Sequence, residues 1–331
     1  RFLSMPGDMF LRCEETGQTI AFMDRHFGGS DFVQVRVVGD VKKNVEAARL
    51  MRFTDLIEGK SQFSDVRSIT QVLAMLAGNF GGSRNIPESQ SALDNLRFFV
   101  EGSPDLRSLT SSDWTVSMLA LRIPPGALDR AGADRLETLV QDTFERSASN
   151  DADIVGERIA AVTRRAGMAL SPEAIALAVR TADAAYGAAG MPEEVIETLM
   201  ADLAGPQAEG VLGPQDWEAI ALLLGTPGIG HDAILARIEA SQAFRDGKAS
   251  PEMARQLADT LLIRAAALRQ EHGVKSAIRL LFGDQEVDPV LEARLRGILA
   301  DLSTRREGTS RQEIVVSGYP LVGARLGASV I

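Results

Sequence analysis

The sequence predicts an α+β protein: a four-stranded sheet built from two βαβ units and interrupted, before its last strand, by a large all-α insertion. Three observations carry this expectation. Alternating apolar residues mark strands near both ends of the chain, in "DFVQVRVVGD" (31–40) and "RQEIVVSGYP" (311–320). Between the N-terminal strands, apolar residues recur at helical spacing, so strand and helix alternate. From about Ala152 to Arg306 no strand pattern occurs, and alanine, the strongest helix former, is abundant.

The first strand follows from Val33, Val35 and Val37 alternating with Gln34 and Arg36. Residues 44–58 place Leu50, Phe53 and Ile57 on one helical face. "SQFSDVRSI" (61–69) reads as the second strand, with Phe63 leading into Val66 and Ile69. Two helical pieces follow, "TQVLAMLAGNF" and "SQSALDNLRFFVEG". The third strand, "DWTVSMLALRIPP", stops at Pro124-Pro125 because proline cannot donate to a ladder. Leu136, Leu139, Val140, Thr143 and Phe144 then form an amphipathic helical stripe over 132–146. In the insertion, helix starts are marked by Ser171-Pro172-Glu173, Pro192-Glu193-Glu194, Gly213-Pro214-Gln215 and Ser250-Pro251-Glu252, with proline and an acid in the first turn.

"LLLGTPGIGHDAILARIE" (222–239) resembles a phosphate-binding loop in order of elements, with Gly225 and Gly230 at the template spacing. His231 stands where the lysine belongs and Asp232 where the Mg²⁺-binding hydroxyl belongs. The run before it reads as a helix ending at a glycine cap. Residues 153–183 and 232–262 align without a gap at an offset of 79 (232 − 153), matching Arg158 to Arg237 and Ser171-Pro172-Glu173 to Ser250-Pro251-Glu252. The loop is therefore expected to join two copies of a helical repeat, 153–225 and 232–303, with Asp232 capping the first helix of the second.

Composition narrows the function. With 45 acidic against 35 basic residues, the net charge of −10 argues against a nucleic-acid partner. The single cysteine, Cys13, excludes an internal disulfide framework, and His26, His231 and His272 have no zinc-ligand spacing. No nucleophile elbow occurs, and the carboxylates of "EVIETLMADL" and "EARLRGILADL" read as solvated faces. No catalytic, cofactor or metal residue is expected. Phe63, Met75, Phe80, Phe98, Phe99 and Met118 are candidates to line an apolar substrate path. Each also suits an ordinary core position, as do Met51 and Phe53. Gly28-Gly29 and Gly81-Gly82, each preceded by Phe, are candidate hinges. No stretch of the chain has the apolar length of a membrane span. The opening on Arg1 and the rising hydrophobicity of "YPLVGARLGASVI" suggest a fragment of a longer protein.

"HFGGSDFVQVRVVGD" (26–40), "FSDVRSITQVLAMLAGNFGG" (63–82), "IPESQSALDNLRFFVEGSPDLRSLTSSDWTVSMLALRIP" (86–124) and the closing "EIVVSGYPLVGARLGASVI" together resemble the large extracytoplasmic loop of resistance–nodulation–division (RND) exporters of the MMPL type. The resemblance covers roughly 20–148 and 310–331. It implies a ferredoxin-like split βαβ–βαβ porter subdomain on the periplasmic side of a bacterial inner membrane, through which hydrophobic or amphiphilic compounds pass without catalysis. On that reading 1–30 is a leading helix and linker, and 31–148 the first part of the porter subdomain. Residues 149–308 are the all-α insertion, and 309–331 the last strand and exit toward a membrane helix. The implied partners are the transporter's own membrane helices and second porter half, and lipid-like small molecules. A second copy or an accessory protein would dock on the insertion. Two alternatives stay open: a helical-repeat interaction module, and an ATP-binding enzyme using the 225–232 loop.

Overall fold

The computed structural model describes residues 31–81, 83–124, 130–187, 191–203, 212–247, 250–302 and 312–317. They form an α+β fold, mostly helical, with a small four-stranded antiparallel sheet. The strands are β1 (Asp31–Val38), β2 (Asp65–Arg67), β3 (Val116–Ile123) and β4 (Glu313–Ser317), in the spatial order β2-β3-β1-β4. The second strand is much shorter than 61–69, because the chain up to Ser64 is still turning out of the preceding helix: the Phe63 N–H donates to Lys60 O.

Strand period fixes which face is buried. Val33, Val35 and Val37 are fully buried, and the register sets them opposite Leu121, Leu119 and Ser117. On the other side of β1, Val316 lies opposite Val35 and Ile314 opposite Val37, so the chain's distant strand completes the same apolar face. A slip of one residue would turn that whole set outward.

Helices α1 (Asn44–Glu58), α2 (Ile69–Asn79), α3 (Gln90–Val100) and α4 (Arg130–Arg146) surround this core. Local signals start them. Ser68 and Gln71 make a reciprocal capping box for α2, and Ser89 caps α3 through the Ala92 N–H. Buried Trp114 sits at φ 61 in the turn before β3, with the Arg97 guanidinium 5.1 Å from its ring centre. Helix α1 is buried on every side from Glu46 to Ile57, including Glu46, Arg49, Arg52 and Asp55. Its apolar side joins the sheet core. Its polar side is covered by α4 and by α5 (Ala152–Arg165), with Arg49 reaching Phe144 O and Arg52 reaching Ser147 O.

The insertion is helical throughout its described residues: α6 (Pro172–Tyr186), α7 (Glu193–Leu203), α8 (Pro214–Leu224), α9 (His231–Glu239), α10 (Gln242–Arg245), α11 (Pro251–Phe282) and α12 (Pro289–Ala300). The chain divides into two compact units, one holding residues up to Ser171 and from Val287 on, the other Pro172–Glu286. The expected insertion of 149–308 thus contains the second unit, while its outer helices α5 and α12 belong to the first. The second unit has its own core, centred on Leu199, Trp217, Ile220, Ile234, Ile238 and Leu261. Within it α6 crosses α11 at small residues: a Cβ added at Gly273 would lie 2.2 Å from Ala185 Cβ.

At the offset of 79, α5 and α9 begin at equivalent positions, as do α6 and α11, but α11 runs on for 32 residues where α6 has 15. Asp232 does not cap α9. Gly230 holds the extended cap conformation, and Asp232 lies in the first turn, where an acid suits the helix dipole. Its counterpart Asp153 is likewise a first-turn residue, behind the true cap Asp151.

Candidate functional site

Three of the six predicted path-lining residues come together at one place. Phe80, Phe98 and Phe99 line a cleft of about 650 Å³ with Ala77, Pro87, Ala92, Leu96, Ser83, Asn85 and Asn95. The local sequence explains the cleft. α2 ends at Asn79, and Gly81 at φ 83 turns the chain back, a conformation only glycine takes without strain. α3 then supplies Ala92, Asn95, Leu96 and Phe99, an i, i+3, i+4, i+7 face. Leu93, Leu96 and Val100 of the same helix reach into the sheet core.

The three rings touch one another, tilted and edge-on, but are not covered. Phe80 and Phe99 are 5.0 Å apart between centroids, Phe98 and Phe99 6.0 Å. Phe98 is 77% exposed, and Phe80 and Phe99 are each 61% exposed. Full burial of such a side chain is worth about 1.5–3 kcal/mol, so each forgoes on the order of 1–2 kcal/mol. A contiguous apolar patch of this kind marks a binding surface more often than it marks chance. No lining side chain carries a charge. The cleft therefore offers apolar area and the neutral hydrogen-bonding groups of Ser83, Asn85 and Asn95.

The remaining predicted residues are elsewhere. Phe63 is buried in the sheet core, Met75 is exposed on α2 outside the cleft, and Met118 lies half-buried opposite Arg36 on the sheet face away from the core. Gly28, Gly29 and Gly82, with Cys13 and His26, lie outside the described residues. The glycine loop of 225–232 follows helix α8 rather than a strand, with Gly225 as its C-cap. His231 Nε2 meets Asp259 at 3.2 Å, so the arrangement of a phosphate loop is not reproduced. Among the described residues no three His, Cys, Asp or Glu side chains gather as a metal site, and no helix is long and apolar enough to cross a membrane.

Below the cleft lies a cluster that sequence reasoning missed. Arg158 of α5 is fully buried, its Nε 2.9 Å from Asp55 Oδ2 and its Nη1 2.5 Å from Asp301 Oδ2. Arg294 of α12 joins Asp55 Oδ1 at 2.8 Å and also pairs with Glu58. Arg165 continues the chain to Glu58 and, at 3.3 Å, to Asp65 of β2. Burial by itself would lower the Arg158 pKa, yet Asp301 and Asp55 outweigh it and hold the guanidinium above its ordinary range. Arg294 is displaced the same way, burial opposing and Asp55 and Glu58 prevailing. The centre of this network, Arg158 with Asp55 and Asp301, is buried, while Arg294, Arg165 and Asp65 reach partly into solvent. The network fixes α1, α5, α12 and β2 in register.

Asn85 joins the two features. Its Nδ2 donates to Gly297 O and to Asp301 Oδ1, both at 2.8 Å, and the Arg84 N–H donates to Ala293 O. A Cβ at Gly297 would stand 2.7 Å from Asn85 Cβ, so glycine there lets the loop lie on α12. The signal for Arg158 was present in the sequence: a lone charge inside the apolar stripe Ile154, Val155, Ile159, Val162. Asn85 carried none. Scanned against protein-family models the sequence matches none, and no curated protein matches it either.

Proposed function

We propose that this chain is an extracytoplasmic porter-type domain of an RND-superfamily exporter of the MMPL type, through which hydrophobic or amphiphilic compounds move outward without chemical change. The exposed three-phenylalanine cleft, uncharged and seated on a rigid base, carries the proposal. The sheet supports it. Order β2-β3-β1-β4 with all neighbours antiparallel is what two consecutive βαβ crossovers produce in a ferredoxin-like split fold. On this reading the chain faces the periplasm, and its partners are the transporter's membrane helices and second porter half. Gly81 serves as a hinge at the rim of the cleft.

The test is transport. The full-length gene product, expressed in a bacterium stripped of its broad-range exporters, is expected to lower retention of a hydrophobic dye. Phe98→Ala with Phe99→Ala is expected to raise retention several-fold at equal protein level. Equal retention with and without the protein, over a panel of apolar dyes and lipids, overturns the proposal.

A second reading makes the helical unit a protein-recruiting module. It draws on Leu222 and Ile263, 77% and 71% exposed on α8 and α11. It predicts a stoichiometric complex, seen by size-exclusion chromatography, that Leu222→Glu with Ile263→Glu abolishes while dye retention stays the same.

A further inference from the structure

We infer that the cleft selects ligands that are uncharged and carry a hydrogen-bond donor, with Asn85 Oδ1 as the acceptor. The inference rests on the reading of the cleft as a ligand site and names the class of ligand. Asn85 is 6% exposed, yet it lines the cleft. Both of its amide hydrogens are committed inward, to Gly297 O and Asp301 Oδ1. That commitment fixes which end of the amide is oxygen, since two acceptors can be met only by the NH₂ group. Oδ1 accepts no hydrogen bond among the described residues, and it is not sealed from solvent. A buried-residue acceptor without a protein partner is satisfied by water and needs a donor from whatever displaces that water.

Charge decides the rest of the class. Every lining residue is neutral, so a carboxylate or phosphate headgroup would lose its water with no cation to meet it. Behind Asn85, Arg158 is already taken by Asp301 and Asp55, so it is not open to an anion. Three phenylalanine faces and a volume of about 650 Å³ suit a hydrocarbon body of small-lipid size. A long-chain alcohol satisfies all three demands. Its methyl ether fails one and its carboxylic acid, ionised, fails another.

The experiment uses the whole 331-residue chain and displacement of the fluorophore N-phenylnaphthylamine by four decyl compounds: 1-decanol, decyl methyl ether, decanoate and decyltrimethylammonium. Decanol is expected to bind about five- to tenfold more tightly than the ether, the worth of one neutral hydrogen bond, and more than tenfold more tightly than decanoate. Asn85→Leu is expected to bring the alcohol-to-ether ratio to about one. Should that variant fail to fold, judged by circular dichroism, the ratio on the wild-type chain still decides. Equal binding of alcohol and ether, or preference for decanoate or the ammonium, overturns the inference while leaving the cleft as a site. Fluorophore binding unchanged by Phe98→Ala would instead overturn the cleft itself.

Discussion

Arg158 places a guanidinium where its helix otherwise presents isoleucine and valine, and its two carboxylate partners come from opposite ends of the chain. Removing it takes from buried Asp301 its ion pair with Arg158 and leaves buried Asp55 with Arg294. Arg158→Ala is expected to cost about 3–5 kcal/mol, read from the urea midpoint at unchanged slope. Phe98→Ala, at a ring already in water, is expected to stay within about 0.5 kcal/mol of wild type in the same measurement. The contrast separates a residue that holds the fold from one the fold does not need. A smaller effect belongs to Asp113, whose carboxylate accepts from the Ser111 and Thr115 hydroxyls and the Thr115 N–H and is held down at about 2 against an ordinary 3.8. A lowered folded-state pKa contributes stability that is full above the unfolded value and is lost as pH falls through the folded one. The stabilisation is therefore expected to fade between about pH 4 and 2. Asp113→Asn should flatten that part of the acid limb, followed by fluorescence of buried Trp114.

Elements meet here through small residues as much as through large ones. In the second unit, Gly273 of α11 lets the helix approach Ala185 of α6, and the Arg269 Nε–H donates to Ala185 O at 2.9 Å across the same crossing. Gly273→Ala would gain about 1 kcal/mol in helix propensity. It would also place a methyl 2.2 Å from another fixed by helix backbone, and overpacking of that kind costs about 1–3 kcal/mol. The clash wins, so a net loss of about 1 kcal/mol is expected from thermal unfolding. Helix α1 gives the opposite lesson. Its buried polar side does not belong to a solvent face; α4, α5 and α12 bring partners to it.

At the scale of the molecule, the first unit carries its own core and its own ion network. The first unit's ion network lies wholly within it, and α5 and α12, the helices on either side of the insertion, pack together there. Deleting Pro172–Glu286 and joining Ser171 to Val287 with a glycine-serine linker is therefore expected to leave a folded sheet unit. It should unfold in one cooperative transition, with the Trp114 signal retained. Loss of that transition would show that the helical unit is required for the sheet to form.

The residues that declare themselves in sequence are those whose physics is local. Val33, Val35 and Val37 announce a half-buried strand by their period of two, and Ser250-Pro251-Glu252 announces a helix start by the N–H groups the serine can reach. Such signals placed the strands, the second longer than it is, and most of the helices. Phe63 and Phe98 could not be told apart, because both sit in apolar patterns and only the neighbours that arrive from elsewhere decide that one is covered and the other is not. The same holds for Arg158 and Asn85, whose partners are between 103 and 216 residues away in the chain. Periodicity and capping chemistry are short-range and survive in a linear string. Burial and ion pairing arise when distant segments close on one another, and only the tertiary structure decided them.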